Sequence, residues 1–416
     1  MKLLQGHLVG FADDGNFFEH RRGVLAVADG RIQDMGELAE LRARYPDAVL
    51  TDHGDAWIMP GFVDAHVHYP QLGVIASHGR ELLEWLTDYT FPEEARFADA
   101  DYAEAQAEAF WDELVRNGTT SAAVFSTVHA CSADALFRSA HRRGHRVMTG
   151  KVMMDRHCPA DLADTAQSAY DDSEALIRRW HGQGRLDYAL TPRFAPTSSP
   201  AQLVACAALW DAYPDVAMQT HLSENKDEIA WVGRLFPDAP DYLGVYENAG
   251  LLRPRSLFGH AIHLLPRERD AARAVGAGLV HCPTSNLFLG SGLFEFQQLL
   301  DAGQRIALAT DVGGGTSFSM LATMKAAYQV SAMAGRALEI EPLWYSATLG
   351  AARALGWNQV ANIEVGFEAD LIVIDPAQTQ VLNQRVRRAS SLREALFATA
   401  ILGDDRHVVR TYVAGA

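Results

Sequence analysis

Apolar residues in the middle of the chain form short runs that alternate with longer amphipathic stretches, the pattern of parallel strands joined by helices. The strand candidates are Ile58–Tyr69, Thr119–Thr127, Arg146–Met153, Tyr188–Phe194, Val216–Ser223, Ser256–His263, Gly278–Pro283 and Arg305–Asp311. Helices are expected between or after them, for example at Asp101–Asn117, Ser199–Tyr213 and Met320–Ala334. Eight such strands predict an α/β fold, a closed (β/α)₈ TIM barrel.

The two ends of the chain instead show shorter strands separated by turns. A run from Val24 to Ala28 is followed by the turn Asp29-Gly30 and a second strand, which is the pattern of a hairpin. Further strands are expected at Ala369–Pro376 and His407–Val413. We therefore predict that residues 1–58 and 364–416 together form a small β-sandwich domain, and that residues 59–363 form the barrel.

Composition narrows the class of partner. The 416 residues carry a formal net charge of −16, so nucleic acid would be repelled, whereas a small base without phosphate would not be. No apolar run approaches the roughly 20 residues that span a bilayer, and the polar start excludes a secretory leader. We expect a cytoplasmic protein without membrane contact. The four cysteines, which form no metal-binding pair, are expected to be small apolar residues: Cys131, Cys158, Cys206 and Cys282.

Candidate metal ligands lie where several predicted strands end. His66 and His68 are two residues apart, so both side chains face the same side of an extended segment. Two such histidines alone are more often ordinary core residues. His221, His260 and Asp311 change this interpretation, because they lie in or end three other predicted strands and would meet the pair at the barrel mouth.

These side chains offer the nitrogen and oxygen ligands that suit Zn²⁺ or Fe²⁺. Because catalytic zinc commonly takes three protein ligands and keeps an open position, not all five need to bind equally. We expect direct binding by His66, His68, His221 and Asp311. His260 is expected to be a longer ligand or a hydrogen-bond partner of the bound water.

Glu224 follows His221 by three residues, which places a carboxylate at the predicted mouth. There it can reach both the metal-bound water and a substrate, as a general acid and base must. A solvated glutamate near the start of the next helix is the alternative. The nearby ligands favour the catalytic interpretation.

Several motifs resemble those of the amidohydrolase superfamily, in its purine and pyrimidine deaminase branch: P-G-F-V-D-A-H-V-H, H-L-S-E, G-H-A-I-H, H-C-P-T-S-N and T-D-V-G-G. Within that branch, further segments are similar to the guanine deaminase family: L-L-E-W-L-T-D-Y-T-F-P, N-G-T-T, T-P-R-F and S-F-S-M. One departure is the pair Tyr69-Pro70, where the family often has small residues.

The resemblance implies one Zn²⁺ per chain, a homodimer, and hydrolysis of guanine to xanthine and ammonia. It also implies purine contacts by Gln71, Arg193, Phe194 and Glu224. In the expected mechanism Asp311, with His260 nearby, accepts the proton of the water that attacks C2, and Glu224 protonates N3. Arg193 would face O6, and adenine, which lacks this oxygen, would leave it unpaired. The alternatives are that Arg193 is only a salt-bridge residue at the barrel rim and Phe194 only a core residue.

Alternatives remain open at this point. The same site would serve another N-heterocycle, such as 8-oxoguanine, a pterin, cytosine or a triazine. A non-catalytic scaffold is a different class, although such a protein would be expected to lose its ligands. The fourth predicted strand lacks the lysine that bridges binuclear centres, which favours a single metal. Supporting roles at the site are open for His78, His263, His281 and Asn286.

Overall fold

The computed structural model describes residues 1–12, 15–78 and 81–416. Its strands are β1 Lys2–Phe11, β2 Phe17–Ala28, β3 Arg31–Gly36, β4 Val49–Pro60, β5 Phe62–His68, β6 Thr119–Phe125, β7 Arg146–Gly150, β8 Val152–Met153, β9 Leu186–Pro192, β10 Ala217–Leu222, β11 Ser256–His260, β12 Gly278–His281, β13 Arg305–Leu308, β14 Leu371–Ile374 and β15 Val408–Tyr412.

Helices follow most of these strands. They are α1 Leu38–Arg44, α2 Leu82–Trp85, α3 Phe91–Ala95, α4 Ala100–Arg116, α5 Ala130–Arg143, α6 Ala166–Trp180, α7 Pro200–Ala212, α8 Lys226–Leu235, α9 Tyr242–Asn248, α10 Pro266–Val275, α11 Pro283–Phe288, α12 Phe296–Asp301, α13 Met320–Met333, α14 Ile340–Ser346, α15 Leu349–Ala354, α16 Gln380–Val386 and α17 Leu392–Leu402. Among the described residues, none of these helices combines the length and apolar character that a membrane span requires.

Eight parallel strands form the barrel in the order β5-β6-β7-β9-β10-β11-β12-β13, and short β8 pairs with β9. The first and last strands close it through the segment after β13. The amide of Asp311 donates to the carbonyl of His66 at 2.9 Å, and the amide of His68 donates to the carbonyl of Val312 at 2.8 Å. The predicted α/β barrel is confirmed, and each predicted strand overlaps an observed one.

β5 is a buried strand that carries polar ligands. Every residue of β5 is buried. Val63 and Ala65 belong to an apolar cluster that includes residues of every barrel strand and Ala351 of α15, so this cluster fills the barrel interior. The register with β6 shifts between Asp64 and Val67, and His66 and His68 also face the interior, where both rings lie against Phe125. Polar side chains in the interior need partners, and the site described below provides them.

The two ends of the chain share one sheet, as the hairpin pattern predicts. Its order is β15-β14-β4-β1-β2-β3, a single six-stranded sheet rather than two separate ones. β1 runs parallel to β4 and antiparallel to β2, while β14 lies antiparallel to both β4 and β15. The boundaries at residues 58/59 and 363/364 stay a prediction.

The sheet passes directly into the barrel where β4 ends and β5 begins. At this junction Gly61 lies against β6, where an added β-carbon would fall 2.2 Å from Oγ1 of Thr120, so only glycine fits. Two barrel arginines also bond the terminal segment: Nε of Arg146 and Nε of Arg185 each donate to Glu368 at 2.9 Å. These contacts hold the terminal segment against the barrel at the N-terminal ends of β7 and β9.

Candidate metal centre and purine pocket

The five predicted ligands converge at the carboxyl end of the barrel. Nε2 of His66 and Nε2 of His68 lie 3.4 and 3.5 Å from Oδ1 of Asp311. Nε2 of His68 is 3.3 Å from Nε2 of His221. Nε2 of His260 is farther away, at 3.7 Å from Oδ2 of Asp311.

This spacing suits a tetrahedral ion. Ligand atoms about 2.0–2.1 Å from zinc lie about 3.3–3.4 Å from one another, which matches the contacts among His66, His68, His221 and Asp311. Nε2 of His66 is buried and has no hydrogen-bond partner among the residues that the structure describes. Two groupings of side chains could hold an ion: His66 with His68 and His221, and His66 with His260 and Asp311.

The electrostatics of these groups favour a cation. Burial lowers the pKa of His66, and it holds the pKa values of His68 and His221 well below the usual range, so these rings stay neutral and can act as ligands. Burial alone would raise the pKa of Asp311, but the neighbouring His66 and His260 lower it to about 2. An ionised carboxylate thus faces neutral imidazoles.

Bonds to the far side of two rings orient them. Nδ1 of His221 donates to the carbonyl of Arg193 at 2.7 Å, and Nδ1 of His260 donates to Oδ1 of Asn286 at 2.9 Å. Each bond turns Nε2 toward the centre, as outer partners of metal-binding histidines do. Asn286, whose role was open in the sequence, therefore lies directly behind His260.

Asp64 is a supporting residue that the sequence interpretation missed. It lies in β5 with His66 and His68 and is fully buried. Its Oδ1 accepts from the amide of Thr310 at 3.0 Å and from that of His66 at 3.3 Å. Asp64 thereby joins β5, the first strand of the barrel, to Thr310, the residue before Asp311. Its position two residues before His66 was the available signal.

Backbone strain concentrates at the same place. Ser223, His260 and Asp311 have φ values of 50°, 64° and 51°, in the left-handed region that non-glycine residues rarely adopt. Each directs a side chain or chain turn into the mouth. Such conformations persist at functional sites where the surrounding bonds enforce them.

Glu224 lies beside this centre, as predicted. It is buried, its Oε1 accepts from the hydroxyl of Ser291 at 3.0 Å, and its Oε2 is 3.5 Å from Nε2 of His260. Burial raises the pKa of its carboxyl to about 7. Glu228 holds the turn, because its Oε2 accepts from the amides of Glu224 and Asn225 at 3.1 Å each.

A cavity adjoins these residues, and all four predicted purine contacts line it: Gln71, Arg193, Phe194 and Glu224. The first two converge on a residue that the sequence interpretation missed. Glu94, in α3, accepts from Nε2 of Gln71 at 3.0 Å and pairs with the guanidinium of Arg193. The only sequence signal was that Glu94 follows the L-L-E-W-L-T-D-Y-T-F-P motif by two residues.

The apolar side of the cavity is also built by that motif. Leu82, Trp85 and Leu86 line it together with Phe194. Nε1 of Trp85 is buried without a hydrogen-bond partner in the described part of the chain. A flat, mostly apolar ligand with a few polar edges would fill such a space.

The other histidines whose roles the sequence left open, and the buried Lys151, lie at different places. His78 is exposed. His263 donates from Nε2 to the carbonyl of Ser291 at 2.8 Å and so supports the loop that contacts Glu224. His281 is buried and stacks on Phe294 with 4.4 Å between ring centroids. Lys151 is buried too, but its Nζ pairs with Asp164 at 2.6 Å.

Comparison with known proteins identifies the family. The model of the amidohydrolase family matches residues 57–416, and that of a bacterial imidazolonepropionase-like composite domain matches residues 23–48 of the terminal sheet. Guanine deaminase of Escherichia coli K12 is 45% identical over 395 residues, covering 94% of this chain and 90% of that protein.

Solved structures agree with this match. The structure of E. coli guanine deaminase superposes with a TM-score of 0.97 at 42% identity and covers 100% of this chain and 98% of that one. The guanine deaminase of C. acetobutylicum, described with guanine bound in its active site, gives a TM-score of 0.92 at 31% identity, with 100% and 99% covered.

Proposed function

This chain belongs to the guanine deaminases of the amidohydrolase family, and from that premise we propose that its barrel mouth hydrolyses guanine to xanthine and ammonia with one bound Zn²⁺. The observation that carries the proposal is the adjacency of two groups of side chains. Four candidate ligands, joined by three contacts of 3.3 to 3.5 Å, lie next to a cavity that Gln71 and Arg193 help to line.

His66, His68, His221 and Asp311 would hold the ion, with His260 as a longer ligand or a partner of the attacking water. Fe²⁺ suits the same ligand types and is the alternative to zinc. When bound, the ion supplies a water molecule of lowered pKa and a positive charge beside the reacting carbon. The protein residues orient that water and move its protons.

Asp311 and His260 act on the water. The carboxylate of Asp311 accepts its proton and directs the oxygen to C2 of guanine, while His260, held by Asn286, faces the same carboxylate. Glu224 lies on the cavity side and protonates N3, which makes C2 electrophilic. Asp311 then passes its proton to the amino group, which leaves C2 as ammonia while the new hydroxyl on C2 returns a proton to Glu224, so guanine and water yield xanthine and ammonia.

Three side chains hold the purine. Arg193 presents guanidinium N–H groups to O6, and the amide of Gln71 reaches the same edge of the ring. Phe194 packs on the purine face. Burial of the whole ring in the cavity excludes bulk water, which strengthens these polar contacts. We also propose a cytoplasmic homodimer, as the family resemblance implies; sedimentation at micromolar concentration tests the dimer.

The test is ammonia release by purified, zinc-loaded protein. Guanine, adenine, cytosine and 8-oxoguanine are supplied in parallel, and xanthine is followed from the guanine reaction. Fast release from guanine, with adenine and cytosine far slower, is the expected result. Activity confined to another base would keep the hydrolytic centre and refute guanine as the substrate. Absence of release from every base would refute the enzyme assignment.

A further inference from the structure

A buried carboxylate at the purine end of the cavity has no part in the mechanism above. Glu94 has 0% exposure, and the arginine with which it pairs, Arg193, has only 3%. The inference drawn from this pair rests on the proposed function, since it concerns how the same cavity recognises its substrate.

Glu94 is needed electrostatically. An unpaired guanidinium at this depth would be strongly unfavourable, and so would an unpaired carboxylate. Their pairing makes this end of the cavity neutral overall while leaving most N–H groups of Arg193 available, because a guanidinium carries five. A ligand with an uncharged oxygen fits such a site better than an anion does.

Glu94 also fixes where Arg193 points. Phe91 and Glu94 are three residues apart in α3, so their side chains share one face of the turn. The guanidinium carbon of Arg193 lies 5.3 Å from the centre of the Phe91 ring while the same group pairs with Glu94. One helical turn therefore holds the guanidinium by a carboxylate and an aromatic face.

The second oxygen of Glu94 fixes the amide of Gln71. Oε1 of Glu94 accepts from Nε2 of Gln71 at 3.0 Å, and Oε1 of Gln71 accepts from the amide of Gly313 at 3.1 Å. A reversed amide would place oxygen against carboxylate and nitrogen against an N–H group, so only one orientation is stable. The other N–H of Gln71 has no acceptor in the part of the chain that the structure describes and can bond a ligand.

We propose that Glu94 is the positioning residue that sets selectivity for 6-oxopurines, because it aims donors of both Arg193 and Gln71 at the oxygen on C6. It touches no substrate atom itself. Without its carboxylate the two donors lose their shared direction, and recognition of O6 is lost. Among the described residues, Glu94 forms no hydrogen bond or ion pair with a metal ligand or with Glu224, so hydrolysis at C2 continues.

The test compares two substrates that carry the same amino group on C2. Guanine has the oxygen on C6, and 2-aminopurine lacks it. In Glu94→Gln, KM for guanine should rise about 30- to 100-fold while kcat stays within about threefold of the wild-type value. This is the result expected when an interaction is lost equally from the bound substrate and the transition state. The kcat/KM for 2-aminopurine should change less than about threefold, since it never used the O6 donors. An equal fall for both substrates, or no change for guanine, would overturn the proposal.

Two further variants complete the experiment. Glu93→Gln is the matched control, because Glu93 is the neighbouring carboxylate of α3 and bonds Arg96 instead, at 2.9 Å; it should leave both substrates unchanged. Glu94→Asp keeps the charge and should recover part of the guanine selectivity. If Glu94→Gln does not fold, Glu94→Asp decides: a selective loss for guanine supports the proposal, and a parallel loss for both substrates contradicts it.

A binding measurement separates recognition from turnover. Hypoxanthine carries O6 but no amino group on C2, so it should inhibit the wild-type protein competitively and lose at least about tenfold of its affinity in Glu94→Gln, the scale of one or two polar contacts. Unchanged inhibition would contradict the proposal. A wild-type protein that does not hydrolyse guanine would instead refute the proposed function, which keeps the two failures distinct.

Discussion

The two walls of the cavity are built in different ways. The metal side comes from strand ends: His66 and His68 from β5, His221 from β10 and His260 from β11. The purine side is supported by the connection between β5 and α4, which contributes Leu82 and Trp85 to the lining and holds Arg193 through the ion pair with Glu94. In the proposed mechanism, strand ends position the reacting groups, whereas this connecting segment supports the residues that contact the ring.

This difference has a consequence for how each wall tolerates change. A strand end is held on both sides by ladder hydrogen bonds, so its side chains keep their positions when a neighbour is altered. The short helices α2 and α3 lack such support and rely on side-chain contacts. Changes on the metal side should therefore affect kcat, and changes on the purine side should affect KM and substrate choice.

The largest effect is expected from Glu224→Gln. This substitution keeps the shape and the bond from Ser291 but removes the proton that N3 requires, so kcat for guanine should fall about 10³- to 10⁴-fold, with metal content and thermal stability unchanged. Asp227→Asn, an exposed carboxylate of the same segment, is the control. Near-normal turnover by the Glu224 variant would mean that another group supplies the proton.

Adenine should be a poorer substrate than guanine by at least about 10³-fold in kcat/KM. The sequence alone suggested that adenine would leave Arg193 unpaired, but the structure corrects this reason, because Glu94 remains its partner. The penalty comes instead from the amino group on C6, whose N–H bonds would face the N–H groups of Arg193 and Gln71. Parallel assays of ammonia release measure it, and similar rates for both bases would contradict the arrangement of the purine side.

The sequence predicted the metal side of the cavity better than the purine side. Strand positions predicted that His66, His68, His221, His260 and Asp311 meet at the barrel mouth, and the structure brings them together there, because strand direction determines which ends share that mouth. Glu94 was missed because its contact with Arg193 joins residues 99 apart in sequence, through a helix with no periodic signal. Asp64 lay in a recognised motif, yet its bonds to Thr310 depend on barrel closure, which a local pattern does not express.

A smaller effect is expected behind the metal side, at Asn286. Asn286→Ala removes the acceptor of Nδ1 of His260, so the ring loses its fixed direction and kcat/KM should fall about 10- to 100-fold. Asn286→Asp keeps an acceptor oxygen and should retain more activity than the alanine variant. Equal activity of the alanine variant and the wild type would show that β11 alone orients His260.

The smallest effect on turnover is expected outside both walls, at Glu368. Burial tends to raise the pKa of Glu368, but the bond from Arg146 and the charge of Arg185 lower it below its ordinary value. A carboxyl whose pKa is lowered by folding stabilises the folded protein at pH values above its pKa in the unfolded chain. This stabilisation is lost as the pH falls through the pKa of the carboxyl in the folded protein. Glu368→Gln should lower the free energy of unfolding by about 2 kcal/mol at neutral pH and leave kcat unchanged.

Urea unfolding at several pH values checks this. Between about pH 5 and pH 3 the wild-type protein should lose more stability than Glu368→Gln, because the variant has no carboxylate to protonate at this position. Glu364→Gln, at a nearby exposed glutamate, is the control and should follow the wild type. Identical pH profiles for all three proteins would contradict the role of Glu368.

The most direct test of the two-wall arrangement is a crystal structure of the zinc-loaded protein with hypoxanthine. The account predicts an anomalous peak about 2.0–2.2 Å from ligand atoms of His66, His68, His221 and Asp311. It also predicts that O6 accepts from Arg193 and Gln71 while C2 faces the metal side. A purine bound with O6 toward the ion, or an ion held by other residues, would contradict it.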